Sequence, residues 1–276
     1  MSENRNDAGV YAQNAPQGFI DKIVSSVRTK IFRKLSCAID LEALQSILDV
    51  GVTSEKERAS ANFFEKLYTH PERITALSDQ DASWMQEEFK GLKFVRGDGR
   101  SLPFADESFD MVFSSAVLEH AGNVDRQIAF VAEALRVAKK YVYLTTPNRF
   151  HPMEFHTSLP LIHWLPKSIY RFILRTIGKD FYADENNLNL LSKCDLIKIA
   201  RAAITAAESG GAQAVILNDV KNLDSSLTLR MTNATAPRER ERERETRLRG
   251  ASYSIDRVWF LGFPSNLLLR ITKDKE

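Results

Sequence analysis

Residues Ile47–Glu55 read ILDVGVTSE. Ile47-Leu48-Asp49-Val50 is a short apolar run broken by one acid, the pattern of a central strand buried on both faces of a parallel sheet. Gly51 ends the run, and a charged stretch follows Thr53 and Ser54. The chain therefore turns here from a strand towards a helix. Cofactor loops of α/β proteins are built at such turns, usually with two or three glycines. This turn has one. Val52 and Thr53 are β-branched and resist positive φ, so the turn needs another shape, with Thr53 or Ser54 capping a helix that starts near Glu55.

Working outward, the chain alternates between strand and helix patterns. Strands are expected at Ser46–Val50, Arg73–Leu77, Leu92–Arg96, Phe109–Ser114 and Lys140–Thr145, the last stopped by Pro147. Helices are expected at Phe19–Leu44, Ser54–Tyr68, Asp81–Phe89, Asp125–Val137 (with Asp125 as N-cap) and Asp195–Ala207. This rhythm predicts βαβ units, hence a parallel sheet with helices on both faces. Arg257–Leu261 and Asn266–Thr272 read as two further strands closing the sheet with an antiparallel edge. Residues 1–45 divide into a disordered lead-in over 1–18 and the N-terminal helical segment. Residues 46–276 form the domain itself, with a substrate lid over 148–190 and a low-complexity insertion over 208–250. The insertion ends in PRERERERETRLR (Pro237–Arg249), whose alternating charges nearly neutralise one another and suit a solvated loop or a short exposed helix rather than a binding patch.

The 276 residues carry a net charge of only +2, which argues against a nucleic-acid partner. Cys37 and Cys194 lack metal-ligand spacing and read as buried thiols. The N-terminus has no apolar leader, and no run approaches a membrane span. The expected location is cytoplasmic.

Ligands of open α/β sheets bind at the carboxyl ends of strands. Here those ends are Asp49-Val50-Gly51, Leu77-Ser78-Asp79, Arg96-Gly97-Asp98-Gly99 and the run Ser114–His120. No GxGxxG follows the first strand, which counts against a nicotinamide oxidoreductase.

The sequence from Gly97 to His120 is GDGRSLPFADESFDMVFSSAVLEH, preceded by LDVG and followed by a helix ending EALRVAKKYVYLTTPN. In that order these segments resemble the class I S-adenosylmethionine-dependent methyltransferases, in particular the type 11 group, over residues 46–150. The resemblance implies a doubly wound, mostly parallel, seven-stranded Rossmann-like sheet, with an N-terminal helical segment and insertions after strand 5. It implies S-adenosylmethionine as cofactor and in-line methyl transfer to a small-molecule or lipid-linked acceptor. The ligand has no phosphate to cradle, so one glycine suffices in principle.

In this reading Asp49 meets the methionine ammonium, and Gly51 lets the backbone approach the ligand. Asp98 accepts a hydrogen bond from the adenine amino group, in an irregular turn allowed by Gly97 and Gly99. Ser114 and Ser115 border the cofactor, Val117 walls it, and His120 faces cofactor or substrate. The ribose position falls on Ser78, with Asp79 one residue late. For Asp49 and Asp98 the plainer alternatives are helix capping and turn formation, and for His120 a structural role. The reduced loop and the absent ribose acid also leave open a catalytically inactive, methyltransferase-like binding or scaffold protein.

The stretch after strand 5 places His151, Glu154, His156 and His163 close together. HPMEFH lacks the HExxH spacing, so no metal site is expected. A Glu154–His156 pair serving a substrate hydroxyl, with His120, is the catalytic candidate. Lys167, Arg171, Arg175 and Lys179 recur every four residues beside an apolar face of Ile169, Phe172, Ile173 and Ile177. Two readings stay open for 167–179: a lid packed on the core with a solvated basic face, or an interfacial helix in peripheral contact with a membrane.

Overall fold

The computed structural model describes residues 17–208, 246–248 and 251–274. The lead-in over 1–16 and nearly all of the 208–250 insertion, including most of the Arg/Glu run, lie outside the described residues.

The chain opens with α1 (Gln17–Ala38), followed by β1 (Ile47–Val50), α2 (Phe63–Leu67), β2 (Ile74–Ser78), α3 (Met85–Glu88), β3 (Lys93–Arg96) and β4 (Phe109–Ser115). Next come α4 (Val124–Val137), β5 (Ala138–Pro147), and the short strands β6 (Met153–Glu154) and β7 (Leu159–Pro160). After α5 (Lys167–Thr176), α6 (Asp180–Ala183) and α7 (Lys193–Glu208), three strands finish the chain: β8 (Thr246–Leu248), β9 (Ala251–Phe260) and β10 (Phe263–Lys273).

The main sheet has the order β3-β2-β1-β4-β5-β10-β9-β8. β1 to β5 are parallel, and β10 pairs antiparallel with both β5 and β9. The seven expected strands are all present, and β8 adds a short eighth at the edge, inside the stretch read as a loop-like insertion. Strand order reverses between β1 and β4. The carboxyl ends of these two strands therefore flank a crevice, the place where open α/β sheets bind ligands.

Each face of the sheet has its own core. Ile47, Met111 and Phe113 pack with Val27, Ile31 and Leu35 of α1 and with Phe63 and Phe64 of α2. Leu48, Val50 and Val112 pack on the other face with α4 and α7. The period of two along β1 and β4 produces this division. Asp49 consequently points to the α1 and α2 face.

Several expectations need correction. The helix expected over Ser54–Tyr68 is only α2. Residues 54–58, SEKER, have no apolar side chain to bury, and the chain stays in a loop clasped by Asn62. Its amide donates to the Thr53 carbonyl (3.0 Å), and its Oδ1 accepts from the Thr53 N–H (2.9 Å). Thr53 Oγ1 does accept from the Glu55 N–H (3.2 Å), but no helix follows. The α4 N-cap is Asn123, whose Oδ1 accepts from the Arg126 N–H, and not Asp125. Such a cap contributes about 1 kcal/mol. Cys37 is exposed and Cys194 half-buried; Cys37 lies off the Val27–Ile31–Leu35 stripe that α1 turns inward. The β9–β10 hairpin turns through Leu261 (φ 50°) and Gly262 (φ 81°), a two-residue loop with both central residues left-handed.

Candidate active site

A cleft of about 1220 Å³ opens over the ends of β1, β2, β3 and β4. Asp49, Gly51, Ser78, Asp79, Asp98, Gly99, Ser115, Val117, His120 and His156 all line it. Two expected residues do not. Ser114 points to the opposite face of β4 from Ser115, and its hydroxyl donates to the Val50 carbonyl (2.7 Å). The alternation along a strand allows only one of two successive serines on the cleft side. Glu154 stands behind His156 rather than on the wall.

Gly51 solves the one-glycine turn alone. Its φ is +93°, its N–H donates to the Leu77 carbonyl (2.7 Å), and neither Val52 nor Thr53 has a positive φ. A Cβ at Gly51 would stand 2.3 Å from Val117 Cγ2, so the turn and the Val117 wall touch directly. Gly97 and Gly99, expected to permit an irregular turn, have no positive φ. Gly99 is needed for space, because a Cβ there would lie 2.4 Å from the Phe130 ring.

At the ends of β2 and β3 the cleft is polar. Ser78 is buried and its hydroxyl accepts from the Gln80 N–H (3.3 Å), while Asp79 is exposed at the rim. Asp98 holds the Arg100 guanidinium in a fork, with contacts of 2.9, 3.1 and 2.6 Å, and accepts from the Arg100 N–H (2.8 Å). Its pKa lies below the usual carboxylate range, chiefly through the Arg100 hydrogen bonds.

Asp49 is 6% exposed and has a second acid beside it, Glu65 from α2, 3% exposed. No donor group hydrogen-bonds either Glu65 oxygen. Burial, and then the Glu65 charge, raise Asp49 well above the ordinary aspartate range. Burial raises Glu65 as well. The pair therefore keeps a proton that an isolated aspartate would release. Arg28 of α1 also lines the cleft, its guanidinium 5.5 Å from the Phe63 ring centroid and bonded to the Ser60 carbonyl. Burial lowers it to about 10. Arg28, Glu65 and Arg100 line the cleft as well, and none of them is marked by a sequence motif. For α1 a signal existed: Asp21 and Arg28 share the face of Val24 at i, i+3 and i+7.

Beyond the end of β4, three groups meet. Ala116 takes a left-handed φ of 58° and turns the chain into the 3-10 segment Leu118–His120. Glu119 is fully buried. Its Oε2 accepts from the Thr146 hydroxyl (2.9 Å), while Oε1 has no hydrogen-bond partner. Burial raises its pKa. The His120 and His156 rings stand edge to face at 5.0 Å. His120 Nδ1 lies 2.7 Å from the Asn187 carbonyl and so carries the proton as donor. Burial lowers His120 to about 3. Glu154 fixes His156 through its Nδ1 (2.6 Å) and its N–H (2.9 Å), and also accepts from the Thr157 N–H and hydroxyl, each at 2.6 Å. Burial opposes charge on this pair, and their mutual attraction overcomes it: His156 is raised, and Glu154 is lowered to about 2. His151 and His163 do not join them. His163 Nε2 donates to the His151 carbonyl (2.7 Å), and the His151 ring bonds within its own turn at Met153.

The segment 167–179 packs through a different face from the one read in the sequence, with Tyr170 and Leu174 in a cluster with Tyr182 and Leu188. Tyr170 and Leu174 are the buried residues of α5, while Ile169 and Phe172 are 47% and 64% exposed. The basic stripe is partly engaged, Lys167 with Asn189 (2.7 Å) and Arg171 with Glu185 (2.9 Å). Among the described residues no helix is long and apolar enough to cross a membrane.

The family model described as a methyltransferase domain matches residues 48–145. A curated relative is the phthiotriol/phenolphthiotriol dimycocerosates methyltransferase of Mycobacterium tuberculosis, 31% identical over 118 residues, 40% of this chain and 44% of the relative. The same enzyme from Mycobacterium bovis matches equally. The chain thus spans less than half the length of the curated relatives it matches. Among solved structures, similar chains include a methyltransferase of Thermotoga maritima described as a possible histamine N-methyltransferase (TM-score 0.48, 13% identity, 94% of this chain and 98% of that one). Another is magnesium protoporphyrin IX methyltransferase of Synechocystis with bound S-adenosylhomocysteine (TM-score 0.46, 12% identity, 96% and 91%).

Proposed function

We propose, from the premise that residues 48–145 belong to the S-adenosylmethionine-dependent methyltransferase family, that this chain transfers a methyl group from that cofactor to a small or lipid-linked acceptor. The observation that carries the reading is the cleft at the strand-order reversal, with Asp49 and Gly51 at one end and His120 and His156 at the other. The residues fit the cofactor's chemistry. Asp49 is a buried acid that a methionine ammonium would pair with directly. Gly51 leaves its backbone open to close approach. Asp98 and Asp79 offer acceptors for the adenine amino group and the ribose hydroxyls. S-adenosylmethionine, when bound, supplies a methyl group on a sulfonium that needs only an aligned nucleophile.

The chain's own part is to bind, align and exclude water. Val117 and Phe113 wall the cleft between the two ends. His156, held by Glu154, and His120, held by Asn187, face the space where an acceptor enters. That built acceptor end favours a catalyst over an inactive scaffold. Isothermal titration with S-adenosylhomocysteine tests the reading. Binding in the micromolar range is expected, weakened at least tenfold in Asp98→Ala; the absence of both heat and thermal shift at millimolar ligand would sink it. If Asp79→Ala leaves affinity unchanged, Ser78 alone serves the ribose.

The lipid-linked form of the acceptor rests on the exposed apolar rim. Phe150, Trp164, Ile169 and Phe172 stand exposed on the insertion, and Trp259 and Leu261 on the hairpin tip beside it. His151 packs against the Phe260 and Phe263 rings and joins the two parts. Apolar and aromatic side chains next to exposed Arg175 suit an anionic lipid surface. The chain should co-sediment with vesicles containing anionic phospholipid, and Phe172→Ser with Trp164→Ser should reduce the bound fraction several-fold. Equal sedimentation of the double variant would remove this part of the proposal.

A further inference from the structure

We propose that Glu119, His120 and His156 form a site for one divalent transition-metal ion, at the acceptor end of the cleft. One ligand atom from each of the three lies within 4.8 Å of the other two, and His120 Nε2 is 4.0 Å from Glu119 Oε1. The segments are far apart along the chain: Glu119 and His120 follow β4, and His156 lies beyond β6. For this reason the HPMEFH spacing gave no hint of it.

Three observations point to a cation. First, Glu119 Oε1 is fully buried with no hydrogen-bond partner, although the other oxygen of the same carboxylate has one. A buried carboxylate oxygen left unmatched is costly, and a cation matches it. Second, both histidines already have the outer support that metal-binding imidazoles show. His120 donates Nδ1–H to the Asn187 carbonyl (2.7 Å), and His156 donates Nδ1–H to the Glu154 carboxylate (2.6 Å). Such partners fix the tautomer and turn Nε2 towards a metal. Third, Glu154 is itself pinned by Thr157 through two bonds of 2.6 Å, so the orientation of His156 is set by a chain of fixed groups.

Two imidazoles and one carboxylate select zinc or a neighbouring first-row ion over magnesium or calcium, which prefer oxygen ligands. Three protein ligands leave a coordination position open. The His120 and His156 side chains are 19% and 14% exposed, and both line the cleft, so that position faces it. Ligands about 2.1 Å from a tetrahedral ion stand about 3.4 Å apart, so the ion draws the three inward by about 1 Å. If the function proposed above holds, the open position takes the acceptor's hydroxyl oxygen. The O–H bond then breaks, its proton passes to water, and the electron pair stays on the metal-bound oxygen, which faces the cleft as the nucleophile.

The test uses the full-length chain stripped of metal, titrated with zinc alone by calorimetry. Wild type should bind one equivalent with micromolar or tighter affinity and gain thermal stability. Glu119→Gln and His120→Asn should each weaken binding at least tenfold, and Glu154→Gln should weaken it through the loss of the His156 support. Cys37→Ser with Cys194→Ser should change nothing. Cobalt in wild type should give visible absorption bands of a four- or five-coordinate nitrogen and oxygen site, a readout that needs no variant to fold. No zinc uptake at micromolar concentration, no such bands, or wild-type affinity in Glu119→Gln would each overturn the site. S-adenosylhomocysteine binding measured on the same samples separates the two readings. Cofactor binding without zinc uptake defeats the metal site alone, and zinc uptake without cofactor binding defeats the methyltransferase reading alone.

Discussion

Gly51→Ala should lower the melting temperature by roughly 5–15 °C and weaken cofactor binding by more than tenfold. Two separate effects add. The position has φ +93°, and an L-residue in such backbone costs about 1–2 kcal/mol. The new Cβ would stand 2.3, 2.9 and 3.1 Å from three carbons of Val117, and overpacking of this kind costs about 1–3 kcal/mol. Each kcal/mol shifts the midpoint of a chain this size by about 2–4 °C. Because Val117 is also the cleft wall, the strain relaxes into the space the ligand needs. The double variant Gly51→Ala with Val117→Ala removes the collision but not the backbone strain, so it should recover part of the stability and not all. A melting curve for Gly51→Ala that overlays wild type would refute the argument.

Asp49→Asn should separate stability from binding. Asp49 and Glu65 are two buried acids in contact, both with raised pKa values. A group whose folded pKa is raised contributes stability fully present below its unfolded pKa, here near 3.8, and lost as pH rises through the folded value. The free protein should therefore lose stability as pH rises from about 3.8 to the raised folded value. Asparagine keeps the shape, donates a hydrogen bond to Glu65 and cannot ionise. The variant should be at least as stable as wild type at pH 8 and show a flatter pH dependence. Its affinity for S-adenosylhomocysteine should fall by about 10–100-fold, the worth of one hydrogen bond to a charged group. In wild type, binding an ammonium should expel the proton held by the pair. Calorimetry in buffers of different ionisation enthalpy should then report proton release, and none in Asp49→Asn. Unchanged affinity in the variant would show that Asp49 serves the loop and not the ligand.

The cleft edge was legible in the sequence at the strand ends. Asp49, Gly51 and Asp98 line it because a buried run ending in a polar residue or glycine marks the carboxyl edge of a parallel sheet, and Val117 was placed there by the family resemblance. The same logic failed at Ser114, where strand alternation sends the hydroxyl to the far face. Asp125 was read as the cap of α4, but Asn123 caps that helix two residues earlier. The SEKER stretch looked helical by composition, yet it has nothing to bury and stays a loop.

From residue 46 to Pro147 local patterning fixes the order and type of the elements. Period-two and period-3.6 patterns record burial locally, and a short loop between them leaves few topologies. Which side chains meet is a matter of how the elements pack. Glu65 reaches Asp49 across a loop, Arg28 closes the cleft from α1, and His156 joins Glu119 and His120 from beyond β5. Those meetings depend on where helices dock and how insertions fold back. Nothing in the spacing of residues so far apart along the chain encodes that.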